Sequence, residues 1–261
     1  MNVQGKTVIV TGSGGPGCGR AIALRFAREG ANVVITDIND DAGRETRQQI
    51  EHMGGRCAYV HADVRREDDV RRLIEFAEQT FKGLSVLVNN ASGPDFGPIP
   101  PLEHWPEMVA TDLLGPMYAT RYAVDAMRRG GDGGAIVNIS STSALGFGAN
   151  SPWPAYDAAK SGILRLTTGL GWMGEKESIR VNCLVPDWVA SPQVVAYVDS
   201  LKPEERGPRG VPDRLITPNE IAGAVLRLVT DESLAGRVMV WWCGQSPRLI
   251  PWRDRGYERL E

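Results

Sequence analysis

Tyr156 and Lys160 stand four residues apart in the segment PAYDAAK, and a helix starting after Pro154 turns both side chains to one face. An ammonium within a few ångströms favours phenolate, which predicts a Tyr156 pKa drawn down from about 10 toward neutral pH. A phenol in that condition can give and take a proton at a reacting oxygen. The plainer arrangement, a half-buried aromatic beside a solvated charge, uses the same spacing. What the pair means therefore depends on what the chain sets around it.

A second constellation lies near the start. Residues 6–11 (KTVIVT) read as a short buried strand, and the next eight (GSGGPGCG) are half glycine or more. A helical pattern follows over 20–28, stopped by Gly30, and then a second apolar strand over 32–37 that ends in Asp37. Strand, glycine turn, helix and acid-ended strand form a dinucleotide-binding fingerprint, in which backbone N–H groups at a helix N-terminus meet a pyrophosphate. Asp37 can accept from both adenosine ribose hydroxyls and would repel a 2′-phosphate. No Lys or Arg occupies Gly15, Pro16 or Ile38 to compensate, so NAD is expected over NADP. Asp37 can equally act as N-cap of a helix over 39–53, a reading compatible with the first.

Further along the chain, strands are expected at 56–61, 84–90, 134–141, 179–185 and 237–242. Helices are expected at 66–81, 102–129, 155–173 and 217–230, with an irregular stretch over 186–215. Seven strands alternating with helices imply an α/β fold: one doubly wound, Rossmann-like parallel sheet with helices on both faces, in a single domain over 1–261. Segment 186–215 would form a lid and 243–261 a tail. Ligands of such sheets bind beyond the carboxyl ends of the strands, where strand order reverses. The segments ending in Gly12, Asp37, Asp63, Asn90, Ser141 and Pro186 would all present there.

Composition agrees with a soluble enzyme: 261 residues, 42% hydrophobic, 23% charged and a net charge of −3. Dispersed Lys and Arg give no reason to expect nucleic acid or a membrane surface. Cys18, Cys57, Cys183 and Cys243 lie far apart with no CxxC and no His at ligand spacing. That argues against a disulfide scaffold and against a structural metal site, and suits a reducing compartment. With no leader-like start and no apolar run of spanning length, the expected location is the cytoplasm.

Taken in order, these motifs resemble the short-chain dehydrogenase/reductase family, in its compact single-domain branch, from Gly5 to about Trp242. The likeness rests on Thr11-Gly12 with Gly17-Cys18-Gly19, Asp63-Val64, Asn89-Asn90-Ala91, a serine ending the fifth strand, Tyr156 with Lys160, and Pro186 through Ser191. The resemblance implies that Tyr156 exchanges a proton with the substrate oxygen while Lys160 holds the nicotinamide ribose. It gives Ser141 the substrate carbonyl or hydroxyl. Asp63 and Val64 would meet the adenine, Asn90 would lie along the cofactor, and Val189 and Ser191 would hold the carboxamide. The implied reaction is hydride transfer at nicotinamide, coupled to proton transfer.

The chain departs from the family pattern in several places. The glycine turn is one residue longer and contains Pro16. The stretch from the fifth strand to Tyr156 is two residues longer, so the family's spacing would select Ser143; the strand register favours Ser141, with the surplus bulging near 151–154. Asp112 stands where the family has an asparagine that completes a proton relay. Pro116 lacks an N–H, which frees the Asp112 carbonyl four residues earlier, so the backbone oxygen is the expected actor. Asp187 replaces a glycine, as a substrate contact or a loop cap. The tail lacks the usual ending and, being apolar, is expected to pack on a subunit or over a neighbouring site.

Phe96, Phe147, Trp153, Trp188 and Tyr197 fall in the segments that would wall the pocket, favouring an apolar or cyclic alcohol or ketone, with Arg206 and Arg209 within reach of an acidic group. The same aromatics could simply pack the lid. The long helices at 102–129 and 155–173 point to a homo-oligomer, a tetramer or dimer. Two other functions share the fold: a catalytically weak nucleotide-binding scaffold, and a lyase, dehydratase or epimerase using bound NAD.

Overall fold

The computed structural model describes residues 1–93, 101–146 and 152–251. Phe96, Phe147 and the tail beyond residue 251 lie outside the described residues, as does part of the surplus near 151–154.

The apolar β-branched runs become strands: β1 (Thr7–Thr11), β2 (Asn32–Asp37), β3 (Arg56–His61), β4 (Val86–Asn89), β5 (Gly134–Ile139), β6 (Ile179–Pro186) and β7 (Val238–Trp241). Between them run α1 (Cys18–Arg28), α2 (Asp40–His52), α3 (Glu67–Phe81), α4 (Trp105–Val109), α5 (Gly115–Gly130), α6 (Pro154–Gly169), α7 (Met173–Glu177), α8 (Pro192–Ser200), α9 (Pro203–Arg206) and α10 (Pro218–Thr230). The seven strands are parallel in the order 3-2-1-4-5-6-7. Strand order reverses between β1 and β4, which opens a crevice at their carboxyl ends.

Alternation along the strands feeds two apolar layers. Val8 and Val10 of β1, with Val33 and Ile35 of β2, pack against Ile22 and Phe26 of α1 and Ile221, Val225 and Leu228 of α10. Ile9 and Val34, pointing the other way, meet Val70, Leu73 and Ile74 of α3 and Ala119 and Ala123 of α5. Ile163 of α6 covers Cys183 and Val185 of β6. A polar chain threads this core: the Asn89 amide donates to Asn138 at 2.8 Å, and the Asn138 amide donates to Thr167 at 3.0 Å. Because each member is satisfied, the chain ties β4, β5 and α6 in one register without leaving an orphaned donor. Arg180 of β6 is buried and donates to the carbonyls of Leu228, Val229 and Asp231 at the end of α10, satisfying groups that the helix itself cannot.

Four expectations need correction, the first being that 186–215, expected to be irregular, holds α8 and α9. The sheet has an eighth strand, β8 (Arg248–Leu249), which pairs antiparallel with β7 and blunts its open edge. The described part of the tail therefore completes the sheet of its own chain. The span 102–129 is not one helix: a 3-10 turn (Leu102–His104), α4, a π turn (Ala110–Leu114) and α5 succeed one another. The π turn is the response to Pro116, since the Gly115 N–H reaches back five residues to the Ala110 carbonyl and widens the coil just before the proline. Finally, α6 stops at Gly169, before the expected 173.

Candidate active site

The carboxyl ends of β1, β2, β4, β5 and β6 bring most of the candidate residues to one edge of the sheet. At the β1 end the glycine turn folds tightly on its neighbours. A Cβ on Gly19 would stand 2.1 Å from the Gly12 carbonyl oxygen, and one on Gly12, at φ +62°, would stand 2.8 Å from the Ala91 backbone. Only glycine allows that approach. Asn90 is the fastener: its amide donates to the Thr11 and Gly12 carbonyls at 2.9 and 3.1 Å, so its side chain grips the turn. Thr11 returns the favour, its hydroxyl oxygen accepting from the Asn90 and Ala91 N–H groups at 3.0 Å.

A Cβ placed on Gly15 or Gly17 would meet nothing within 4 Å, and the first turn of α1 holds no acidic residue. Open space above glycines at a helix N-terminus is a cradle of the kind a diphosphate fits. The longer turn is closed by Asp37, which accepts from the Gly14 N–H at 2.9 Å and the Asn39 N–H at 3.0 Å. The N-cap of α2 is Asn39, which accepts from the Ala42 N–H, so Asp37 does not serve as the cap. Its half-buried carboxylate keeps acceptor capacity for ribose hydroxyls. Arg20, which the sequence did not single out, is the cation nearest the turn. It makes a bidentate pair with Glu45 at 2.9 Å and donates to the Gly14 carbonyl at 2.6 and 3.0 Å, so its donors are already engaged. At the β3 end, Arg65 clamps both oxygens of Asp63 at 2.7 to 3.0 Å and also pairs with Glu107. That clamp holds the Asp63 carboxyl below its usual range and occupies much of it. Proximity along the chain to Asp63 was the only signal for Arg65.

At the other end of the crevice, Ser141 follows β5 and caps a 3-10 turn (Thr142–Leu145) by accepting from the Ser143 N–H at 3.2 Å. Its hydroxyl is near enough to the Tyr156 phenol to draw the phenol's pKa down slightly, whereas Ser143 is exposed. Ser140 donates to the Lys160 carbonyl at 2.9 Å and so pins α6 to the end of β5. Lys160 Nζ sits 5.3 Å from the centre of the Tyr156 ring and donates to the Ile139 carbonyl at 3.1 Å.

The Lys160 ammonium also pairs with the Asp112 carboxylate at 3.0 Å, with both side chains almost sealed from solvent. Asp112 further accepts from the Ser92 hydroxyl at 2.7 Å and the Gly93 N–H at 3.1 Å. The side chain of Asp112 thus makes direct contact with Lys160, Ser92 and Gly93. The approach needs Gly162, where a Cβ would stand 2.9 Å from Leu113 of the π turn.

The electrostatic consequence reverses one expectation. Burial raises the Tyr156 pKa above its ordinary value; Lys160 pulls it down, Asp112 pushes it back up, and the net shift is upward. Burial works against the Lys160 ammonium, but Asp112 and Tyr156 outweigh it and hold its pKa above the usual lysine value.

Asp187 turns out to be a tie. It accepts from the Thr142 hydroxyl at 3.2 Å and the Cys243 N–H at 3.1 Å, joining the Ser141 turn to the end of β7 and the tail. Past it, Val189 bridges to Ile216, and Ser191 caps α8 by accepting from the Val194 N–H at 3.3 Å. Trp188 and Tyr197 stack within the lid segment, 6.2 Å apart, and Arg209 pairs with Glu205.

Known proteins share this fold. A family model described as enoyl-(acyl carrier protein) reductase, of the short-chain alcohol dehydrogenase type, matches residues 15–240. A short-chain dehydrogenase/reductase of Aspergillus oryzae is 35% identical over 241 residues, covering 88% of this chain and 90% of that protein. A 3beta-hydroxysteroid dehydrogenase of Eggerthella lenta is 32% identical over 240 residues, covering 88% and 90%. A solved 7 alpha-hydroxysteroid dehydrogenase, in complex with NADH and 7-oxo glycochenodeoxycholic acid, superposes with a TM-score of 0.83 at 27% identity, covering 93% of this chain and 95% of that one.

Proposed function

The chain belongs to the short-chain dehydrogenase/reductase family, and on that premise we propose that it is an NAD-dependent oxidoreductase interconverting a secondary alcohol and its ketone. The observation that carries this reading is the cluster at the β5 end: the Lys160 ammonium 5.3 Å from the Tyr156 ring, with Ser141 at the strand end near enough to the phenol to favour its ionised form. In this reading Ser141 orients the substrate oxygen, Tyr156 exchanges the proton with it, and Lys160 turns its remaining donor to the nicotinamide ribose. The bound nicotinamide supplies or receives the hydride. Gly12, Gly17 and Gly19 would shape the diphosphate cradle, Asp37 the ribose contact, Asp63 and Val64 the adenine contact, and Val189 and Ser191 the carboxamide contact. Asn90 would act by holding the turn.

An apolar or cyclic substrate is favoured by the stacked Trp188–Tyr197 lid and by the steroid alcohols named for two relatives. Arg209 is committed to Glu205, which leaves it poorly placed for an acidic substrate.

Tyr156→Phe is expected to lower turnover by about 10²–10⁴-fold in both directions, followed as NADH absorbance with a panel of secondary alcohols and cyclic ketones, while NAD still binds. Oxidation needs phenolate and reduction needs phenol. With the Tyr156 pKa raised, oxidation should climb with pH through the alkaline range while reduction falls. A panel in which the wild type turns over nothing yet binds NAD would remove the enzyme reading.

NAD should bind more tightly than NADP, because Asp37 repels a 2′-phosphate and Arg20 is already paired to Glu45. Titration of both cofactors against wild type and Asp37→Ala checks this: the preference should shrink in the variant, and tighter NADP binding by the wild type would contradict it.

We also infer self-association. Leu114 and Met117 are exposed one turn apart, Leu102 and Trp105 are exposed as well, and apolar surface of this kind is ordinarily covered. Size-exclusion chromatography should give a dimer or tetramer, and a monomer at micromolar concentration would contradict it.

A further inference from the structure

The roles assigned above leave one buried charge unused. We propose that the Asp112 carboxylate is a fixed counter-charge that keeps Tyr156 protonated, so that at neutral pH the site is specialised to take up a ketone and reduce it. This rests on the reading of Tyr156 as the proton carrier.

The surroundings of Asp112 are built for a carboxylate. Among the described residues, its polar contacts are all with donors: the Ser92 hydroxyl at 2.7 Å and the Lys160 ammonium at 3.0 Å on one oxygen, and the Gly93 N–H at 3.1 Å on the other. An asparagine at this position would have to turn its own NH2 toward one of those donors. The carboxyl group thus meets three donors, in a place with about 1% exposure.

Charge counting gives the consequence. If residue 112 were neutral, loss of the Tyr156 proton would convert a lone buried cation into a neutral ammonium–phenolate pair, which burial favours. With Asp112 present, the Lys160–Asp112 pair is already neutral. Loss of the proton then leaves one uncompensated negative charge in a partly desolvated cleft, which burial opposes. Among the described residues, the groups that face the pair from each packed element are few. Tyr156 and Asp157 come from α6, Asp112 from the π turn, and Ser141 from the β5 end. Cys183 comes from β6, its thiol pushed up to about 12 by burial and hence neutral. Asp157 adds to the effect of Asp112, and Lys160 is the sole cation of the set.

In the reductive direction the carbonyl carbon gains a hydride from reduced nicotinamide, forming a C–H bond. The C=O π pair moves onto oxygen and takes the Tyr156 proton, giving the alcohol, oxidised nicotinamide and a Tyr156 phenolate. The phenolate then regains a proton from solvent. A site that holds Tyr156 protonated before each turnover is primed for this direction.

The test is the pH dependence of kcat/KM for alcohol oxidation at saturating NAD, in wild type and Asp112→Asn. The rising alkaline limb should move to lower pH by about one unit or more in the variant, a tenfold or larger gain at neutral pH. A limb that stays in place, or moves upward, overturns the proposal, and a purely structural role for Asp112 would lower activity without moving it. A second readout needs neither turnover nor a stable Asp112 variant. The tyrosinate ultraviolet absorbance of wild type minus Tyr156→Phe reports Tyr156 directly in the cofactor-free protein. It should titrate above the ordinary tyrosine range, and titration below that range overturns the proposal. If no alcohol or ketone is turned over, the oxidoreductase reading fails, and the same absorbance titration in Asp112→Asn decides the charge assignment: a lower phenol pKa than in wild type upholds it, and an unchanged one overturns it.

Discussion

A lysine ammonium cannot be sealed inside a protein without partners, and much of this site follows from supplying them to Lys160. Its side chain is 4% exposed, a condition that costs several kcal/mol unless opposite charge and acceptors compensate. Asp112 and the Ile139 carbonyl compensate. Asp112 reaches Lys160 because Pro116 widens the preceding turn and because Gly162 lets α6 close on Leu113. Ser92 and Gly93 then fix the carboxylate, and Ser140 fixes the backbone of α6 at Lys160 itself. Remove the ion pair and these local devices have no evident purpose.

The cofactor end obeys the same rule in a more exposed setting. Polar groups around the strand ends are first used to hold the protein's own shape. Asn90 grips the glycine turn, Arg20 is spent on Glu45 and Gly14, Arg65 on Asp63 and Glu107, and Asp187 on Thr142 and Cys243. Preorganisation of this kind lowers the ordering cost when a ligand arrives, and it leaves the open space over Gly15 and Gly17 as the natural cradle.

Much of this is legible along the chain. β2 and β3 fall at the bounds that their apolar runs indicate, and the strand–glycine–helix succession marks the crevice without any knowledge of pairing. What stays hidden depends on distance in space. β8 is two residues long and is defined only by its pairing to β7. The break in the 102–129 span is foreseeable at Pro116, but not that it takes the form of a π turn aiming a carboxylate inward. The direction of the Tyr156 pKa is hidden for a related reason: spacing on one helix reveals Lys160, while the opposing Asp112 comes from another element. Position 112 stands out in the sequence as unusual, yet nothing along the chain says which of its oxygens acts.

The dependence of Lys160 on Asp112 is tested most directly by a double-mutant cycle on unfolding free energy. Lys160→Met and Asp112→Leu should each cost about 3–5 kcal/mol, because each leaves a buried charge unpaired. The double variant should cost far less than their sum, since it removes both charges together. Additive costs would mean that the two residues do not depend on one another, and would contradict the claim that the site is built around their pairing.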